Sequence, residues 1–551
     1  MKIVRTLLLL MGVVLIISGV LMAGAADIRA LPVSQDVDVE LPPEGAEYVG
    51  SASCFTCHSD QHRNWSTTSH PYMIQDVSAN PGAILADFAV GEDVRGDQPY
   101  ALEDIVFTMG SKHNQRYIAA SDDGYVVLPG QWSIDSGAWV AADSADWLKD
   151  CAGCHTTGFD VETSTWAELS VGCESCHGAG SVHVEAARAL PEGIDPMSED
   201  VYAVRSTIVS TVDSAVCAQC HTRGMSPDGA HGYPIGYVVG GPLDETMFTL
   251  SMPVEGGDEA WWADGTERDY RQQYPAWLGS AHGNALATIT EGDHSQPFCL
   301  ACHSTDYDFQ DPTFPQDVVT LENAQFSITC VQCHSPHGEG DREAQLVGES
   351  YDLCVSCHTG TSSGNSPIRV GNTVHHPMRE MFEGISFLGL EPRPSKHFAN
   401  DAYGPICASC HMTGTGVSDE WGHVATHSFQ VVIPTQNEEG QADSCTTCHN
   451  AEHDPDNSPE DLAFYIEDVQ ADTRDRIDDI RAELEAIQAE NPDWATTTED
   501  KSEEQVMSER IHTLVSFIEA DGSWGFHNPE YTDDILVEAE DLLDELLDIL
   551  G

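Results

Sequence analysis

The chain has 551 residues, with 91 acidic against 23 basic side chains and a formal net charge of −68. That balance excludes nucleic-acid binding through a basic patch and docking on anionic lipid through polybasic segments. Only 41% of the residues are hydrophobic, too few to fill the interior of several domains unaided.

Lys2 and Arg5 precede an apolar run over residues 7–22 and the small residues Ala23, Gly24, Ala25 and Ala26. Residues 1–26 therefore read as a signal peptide or, because the run is long, an N-terminal anchor. Residues 27–47 are acidic, contain proline and have no periodicity, which marks a linker. Between the first and second cysteine pairs, residues 105–109, 116–120 and 125–128 are strand-like. With a turn at 122–124 they predict a small β-hairpin element. Residues 222–298 are loop-rich. From Pro459, apolar residues at helical spacing (Leu462, Ile466, Val469, Ile477, Ile480, Leu484, Ile487) predict a helix opened by Ser458. Two more are expected over about 503–520 and 533–550, giving an acidic bundle that either packs on the rest of the chain or offers a dimerisation face.

The chemistry lies in a pentapeptide. Cys-x-x-Cys-His occurs nine times, and two cysteines per motif account for all 18 cysteines. The pairs are Cys54/Cys57, Cys151/Cys154, Cys173/Cys176, Cys217/Cys220, Cys299/Cys302, Cys330/Cys333, Cys354/Cys357, Cys407/Cys410 and Cys445/Cys448. The motif attaches a c-type haem: both thiols reach one porphyrin edge and the adjacent His binds iron from below. A redox disulfide or a zinc site would not place His after every pair. Nine covalent haems are expected, with His58, His155, His177, His221, His303, His334, His358, His411 and His449 as proximal ligands. Haem attachment to reduced cysteines outside the cytoplasmic membrane requires export, so a periplasmic or cell-surface location is expected.

The sixth iron position separates a saturated electron carrier from a substrate site. Sixteen of the 25 His lie outside the motifs. Trp65-x4-His70 recurs as Trp277-x4-His282, each with Ser or Thr two residues before the His, which suggests one ligand-presenting turn used twice. His337 follows His334 by three residues and suits a neighbouring haem; His183 follows its own motif closely. With His376, His397 and His427 these form the first rank of distal candidates. His113, His231, His375 and His453 form the second. His512 reads as structural and His527 as a cap or positioning residue of the tail.

Two resemblances cover most of the chain. Tyr48-Val49-Gly50-Ser51, the Trp65/His70 turn, Gly110-Ser111-Lys112, Gln115-Arg116-Tyr117 and the Cys151 and Cys173 motifs with their flanks resemble, in order and spacing, the tetrahaem cytochromes that take electrons from hydroxylamine oxidoreductase. That resemblance implies a haem-packing electron-transfer domain. Downstream of Cys299, the succession His376-Pro377, His397, Cys407–His411, His427, Cys445–His449 and helical tail is similar to the superfamily of pentahaem nitrite reductase, octahaem tetrathionate reductase and hydroxylamine oxidoreductase. The resemblance implies that His397 and His427 are distal ligands and that His376 stands where the reductase has its active-site His. The reductase uses Cys-x-x-Cys-Lys at its catalytic haem. Its counterpart here is expected to be Cys330–His334, which carries the ordinary His. The tyrosine that hydroxylamine oxidoreductase cross-links to haem has no counterpart. Cys354–His358 followed by His375-His376-Pro377 also resembles the doubled-motif cytochromes of extracellular respiration.

The sequence thus predicts a multihaem cytochrome c, mostly short α-helices and loops around nine haems. Its parts are a four-haem domain (48–235), a five-haem domain (236–453) and a haem-free helical tail (454–551). The expected function is electron transfer through mostly bis-His haems, with redox proteins or extracellular acceptors as partners and no nucleic acid. The membrane is met only through an anchor at the N-terminus, and the C-terminal helices could form a homo-oligomer. Two alternatives stay open: a reductase or dehydrogenase of small nitrogen or sulfur compounds with one five-coordinate haem and His376 as its catalytic candidate, and a subunit of a cytochrome filament.

Overall fold

The structure, a computed structural model, describes residues 41–551 apart from 97–99, 123, 291–294, 311–317, 339–344, 363–365, 371–372, 400–406, 419–421, 451–452, 454–456 and 496–500. Contacts divide the chain into Met1–Val39 and Glu40–Gly551, and all described residues belong to the second unit. The leader and most of the acidic linker lie outside them. Among the described residues, no helix is long and apolar enough to cross a membrane.

The hairpin expected after the first motif is part of a seven-stranded antiparallel sheet. Its strands are β1 (Ile74–Asp76), β2 (Ile105–Met109), β3 (Asn114–Ser121), β4 (Gly124–Val127), β5 (Gln131–Ser133), β6 (Ala138–Val140) and β7 (Ala145–Asp146). The order is β1-β2-β3-β4-β7, with β5 pairing β3 and β6. Adjacent residues of β3 face opposite ways, so Tyr117 and Ile118 serve two different cores. A register shift between Ile105 and Phe107 likewise puts these two residues of β2 on opposite faces. One face packs Ile74, Phe107, Ile118 and Val127 against Trp147, Cys151 and Ala152, so the sheet is a wall for the second Cys-x-x-Cys-His motif. The other face is aromatic, built on Tyr117, Trp132 and Trp139.

Beyond the sheet the chain is short helices and loops. Cysteine motifs sit on single turns such as Ala152–His155, Glu174–His177, Leu300–His303 and Cys407–His411. Buried acids pin these turns. Glu174, beside Cys173, accepts from the N–H groups of Val49 (2.9 Å), Gly50 (2.8 Å) and Gly180 (2.8 Å). Glu380 accepts from Thr359, Thr361 and the Gly360 N–H, fixing the segment after His358. At Gly153 a Cβ would collide with the ring of Tyr233, so only glycine lets that ring lie on the motif backbone.

The tail forms three helices, α1 (Pro459–Glu490), α2 (Glu503–Asp521) and α3 (Pro529–Leu550). Ser458 and Asp461 make a capping box with Pro459 in the first turn of α1, and Gly522 ends α2 at a φ of 76°. α3 begins earlier than its apolar pattern suggests, because Asn528 caps it by accepting from the Tyr531 N–H. The same Asn528 donates to the carbonyls of Met381 and Arg393. Val374, Met381 and Leu388 share the bundle core with Ile477, Leu514, Phe517 and Ile535. Arg393 pairs with Glu530 and Asp534. The bundle is therefore built onto the segment around residues 374–393.

Candidate haem sites

Two trans imidazoles on one ion, with metal–nitrogen bonds of about 2.0 Å, have ring centres about 6 Å apart. Imidazole pairs at that separation run through the molecule. His58 faces His183 at 6.2 Å, His177 faces His337 at 6.0 Å, and His334 faces His427 at 6.2 Å. His449 faces His397 at 6.0 Å, and His358 faces His282 at 5.9 Å. For His221 the imidazole acting most strongly is that of His70. Each pair joins one motif His to one His from elsewhere, as a low-spin haem requires.

The second nitrogens are also placed for this task. Nδ1 of His177 bonds the Val209 carbonyl (2.8 Å), that of His303 the Ala285 carbonyl (2.9 Å) and that of His411 the Phe429 carbonyl (3.1 Å). Among the partners, His183 bonds the Val204 carbonyl (3.1 Å) and His427 the Ala425 carbonyl (3.0 Å). A ring whose Nδ1 proton goes to a carbonyl presents Nε2 to a metal. Burial pushes His221, His358 and His427 down to about 4, so these rings are neutral at physiological pH, the state in which imidazole binds metal.

His375 and His376 lie together against His303. His375 is 6.1 Å from it with nearly parallel rings (17°), His376 is 6.3 Å away, and the ligand nitrogens of all three fall within 4.8 Å of one another. His376, held at a φ of 47°, also stands 5.9 Å from His358. The expected place for His376, over the Cys330–His334 motif, is not where the fold puts it. His334 faces His427 instead, and His376 stands beside His303 and His358. Spacing along the chain could not reveal this, since three motifs lie between His282 and His376.

His527 stands 6.1 Å from His411, its Nδ1 hydrogen-bonded to Asp521 Oδ1 at 2.7 Å. Its sequence role as a cap falls instead to Asn528. The remaining candidates are placed otherwise. His113 is exposed and hydrogen-bonded to Asp135 (3.0 Å), His453 bonds the Asn450 side chain (3.1 Å), and His231 packs on Tyr233 at 5.4 Å. His512 bonds Ser516 inside α2.

His155 differs from the other eight motif histidines. It is half-buried, its Nδ1 has no hydrogen-bond partner, and its ring neighbour is Trp147 at 6.4 Å. Among the described residues no second imidazole stands opposite it.

The sulfurs show how the motifs adjoin. Direct thiol contacts join Cys54 to Cys173, Cys217 to Cys330, and Cys354 to Cys407. Between those links, Cys176 lies close to Cys217 and Cys220, Cys333 to Cys354 and Cys357, and Cys410 to Cys445 and Cys448. These contacts order seven motifs in one row, named by their His: 58, 177, 221, 334, 358, 411, 449. The other two are spurs. Cys154 meets Cys220, and Cys302 meets Cys357.

Enclosure by a neighbouring motif does not extend to every predicted thioether cysteine. Cys57 is exposed, and so are Cys410 and Cys448 at the far end of the row. The reason is position: the Cys54/Cys57 pair begins the row, and its inward sulfur, Cys54, is the one that meets the next motif. The assignment of Cys57 to haem attachment therefore rests on its place in the pentapeptide and not on its surroundings.

The row contains a repeated cradle. Trp65 Nε1 donates to the Val171 carbonyl (3.2 Å) and Trp277 Nε1 to the Ile328 carbonyl (2.7 Å), each two residues before a motif cysteine. The Val171 N–H donates to the carbonyl of His70 (3.2 Å), and the Ile328 N–H to that of His282 (3.3 Å). Thr157 Oγ1 accepts from the Gly172 N–H (2.8 Å), as Thr305 Oγ1 accepts from the Thr329 N–H (2.9 Å). In both copies the Trp turn delivers its His to the third motif that follows, and the first of those three motifs is the spur.

The crystal structure of the outer cell wall cytochrome OcwA superposes with a TM-score of 0.74 at 31% identity, covering 90% of this chain and 99% of that one. The chain belongs to the multihaem c-type cytochromes. Family models match the cytochrome in three segments: cytochrome c554 and c-prime over residues 134–178, the doubled CXXCH motif over 324–363, and cytochrome c552 over 374–545. An undecaheme cytochrome from the S-layer of Carboxydothermus ferrireducens shares the fold at a TM-score of 0.55 and 22% identity, over 91% of this chain and 70% of its own. The C-type polyheme cytochrome OmcC of Geobacter sulfurreducens is 23% identical over 243 residues, 30% of this chain and 28% of that relative. The cytochrome thus spans under a third of OmcC and nearly all of OcwA.

Proposed function

We propose that this cytochrome is exported, carries nine haems, one on each Cys-x-x-Cys-His motif, and conducts electrons along the row from the His58 motif to the His449 motif. Bound haem supplies one-electron redox chemistry, and the chain supplies axial ligands, edge contacts and insulation. The distal ligands are His183 for His58, His337 for His177, His70 for His221, His427 for His334, His282 for His358, His527 for His411 and His397 for His449. The repeated cradle supports His282 over His376 at His358, because His70 serves His221 in the same way. That leaves His375 for His303, with His376 beside it. The exposed cysteines at the two ends, Cys57 and Cys448, support entry and exit of electrons there.

The observation that carries this reading is the match between the imidazole separations, 5.9 to 6.2 Å, and two ligands on one iron. The relatives with known locations, an outer cell wall cytochrome and an S-layer cytochrome, support work at the cell surface with redox proteins or extracellular acceptors as partners. Mass spectrometry of the mature protein should show nine haem additions. Electron paramagnetic resonance should show low-spin iron at eight of them. Fewer additions, or several high-spin irons, would sink the carrier reading.

One observation favours a second activity beside the first. That no imidazole stands opposite His155 among the described residues suits a substrate-binding iron, and hence reduction of small nitrogen or sulfur compounds on a spur of the row. Carbon monoxide titration of the reduced protein tests this: one haem binding stoichiometrically supports it, and no binding removes it.

A further inference from the structure

The surroundings of His155 are electrically unlike the rest of the molecule. In a chain of net charge −68, two guanidiniums converge on this motif without a carboxylate partner among the described residues. The charge of Arg271 reaches Cys151, Cys154, His155 and Cys220, and that of Arg116 reaches Cys151. The Nε atoms of both arginines are buried and unpartnered. Arg116, on β3, uses its terminal nitrogen on the carbonyls of Leu128 and Asp143. Arg271 stacks on Tyr270 at 5.1 Å and is held at a φ of 60°. Nearby Arg223, by contrast, is neutralised by Asp269. Asp150, exposed and accepting from the Asp146 N–H, acts on Cys151 more strongly than either arginine, whereas at His155 the acting charge is that of Arg271.

A half-buried guanidinium with no counter-ion calls for an anion. The propionates of a c-type haem project from the edge opposite its thioethers. Arginines beside Cys151, Cys154 and Cys220 are therefore badly placed to serve the propionates of the haems those cysteines hold. Both arginines lie at a motif whose His has no imidazole opposite it among the described residues.

We propose that the haem site of His155 binds small inorganic anions, drawn and oriented there by Arg271 and Arg116. This rests on the reading that the iron at His155 has an open position. The local positive field offsets the repulsion that a molecule of this charge exerts on any approaching anion. It makes this spur selective for anionic over neutral ligands.

The test uses the full-length ferric protein with azide as the anionic probe and nitric oxide as a neutral probe of similar size, both read by the absorption and spin state of the responding haem. Azide should bind one haem in the wild type, more weakly as salt rises. Arg271→Gln should weaken azide about tenfold and Arg116→Gln by less, since only Arg271 reaches His155 itself, with nitric oxide unchanged. Arg271→Lys should restore most of the azide affinity, which separates charge from a folding defect. Equal losses for azide and nitric oxide, or no loss in either Gln variant, would overturn the proposal. Binding of carbon monoxide and nitric oxide but not azide would defeat this proposal alone. Failure of all three probes on the wild type would defeat the open-iron reading beneath it.

Discussion

The segment from Trp65 to His221 and the segment from Trp277 to His358 are two versions of one device. Each anchors a tryptophan to the carbonyl two residues before a motif cysteine, and each uses a threonine after the spur motif to hold the following motif's backbone. They differ in what closes the spur. Over His303 the chain lays the dipeptide His375-His376, while beside the Cys151–His155 motif it places the sheet face of Ile74, Phe107, Ile118 and Val127, with Trp147 and the arginines Arg116 and Arg271. On the reading proposed above, the same cradle holds a saturated haem in one copy and an open one in the other. His375 and His376 come from downstream of the second segment, whereas Trp147 and Arg116 lie within the first segment itself.

The strongest way to break the equivalence is to remove its anchors. Trp65→Ala and Trp277→Ala should each cost about 3 kcal/mol, the low end for a tryptophan because both are half-buried. Each should also release one distal imidazole, His70 or His282. Chemical unfolding gives the first quantity and the appearance of one high-spin iron the second. If one variant frees a haem and the other does not, the two cradles are alike in shape only.

The difference between the spurs can be erased from the other side. His375→Ala should open the iron at His303 and raise the number of haems that bind carbon monoxide from one to two. His376→Ala should leave that number at one, because the nearly parallel 17° ring belongs to His375. A second binding haem in His376→Ala, with none in His375→Ala, would exchange their roles. His527→Ala should expose the iron at His411 in the same assay, with the bundle intact, because Asn528 and not His527 caps α3.

What the sequence revealed and what it hid divide along the same line. The motifs are local, five residues long, and their chemistry is complete in the spacing, so the multihaem c-type character was legible. Whether a motif's sulfurs are enclosed, as at Cys154, or open, as at Cys57, depends on neighbours and was not. The echo of Trp65-x4-His70 in Trp277-x4-His282 was also legible, because a repeated turn repeats its residues. Distal partnership is tertiary. His337 reaches back to His177 across the boundary between the halves, and His527 comes from a segment whose pattern signals only a helix start. The sheet was half visible for a related reason. β2, β3 and β4 run four to eight residues, long enough to read as strands, whereas β1, β5, β6 and β7 have two or three residues each, too short for a pattern. The helical tail was the clearest element from periodicity. Its attachment to Val374, Met381 and Leu388 left no mark on that periodicity.

The smallest effect is the most exacting test of the repeat. Thr157 and Thr305 each present one buried hydroxyl oxygen to one backbone N–H, at 2.8 and 2.9 Å. Replacing either by Val keeps the volume and leaves the N–H of Gly172 or Thr329 without an acceptor. A buried donor left so costs about 1–3 kcal/mol. Thr157 carries a further burden, since its hydroxyl also bonds the Ser170 carbonyl at 2.8 Å and Ser175 at 2.7 Å. Thr157→Val should therefore destabilise more than Thr305→Val, each without loss of haem. If the first copy has been retained to hold an open spur, its extra hydrogen bonds supply the rigidity that a second axial ligand supplies in the other. Thr157→Val should then broaden the high-spin signal assigned to His155, while Thr305→Val leaves the low-spin signal of the saturated spur unchanged. Equal unfolding costs with no spectral difference would mean that the cradle merely holds the backbone and has no part in how each spur is finished.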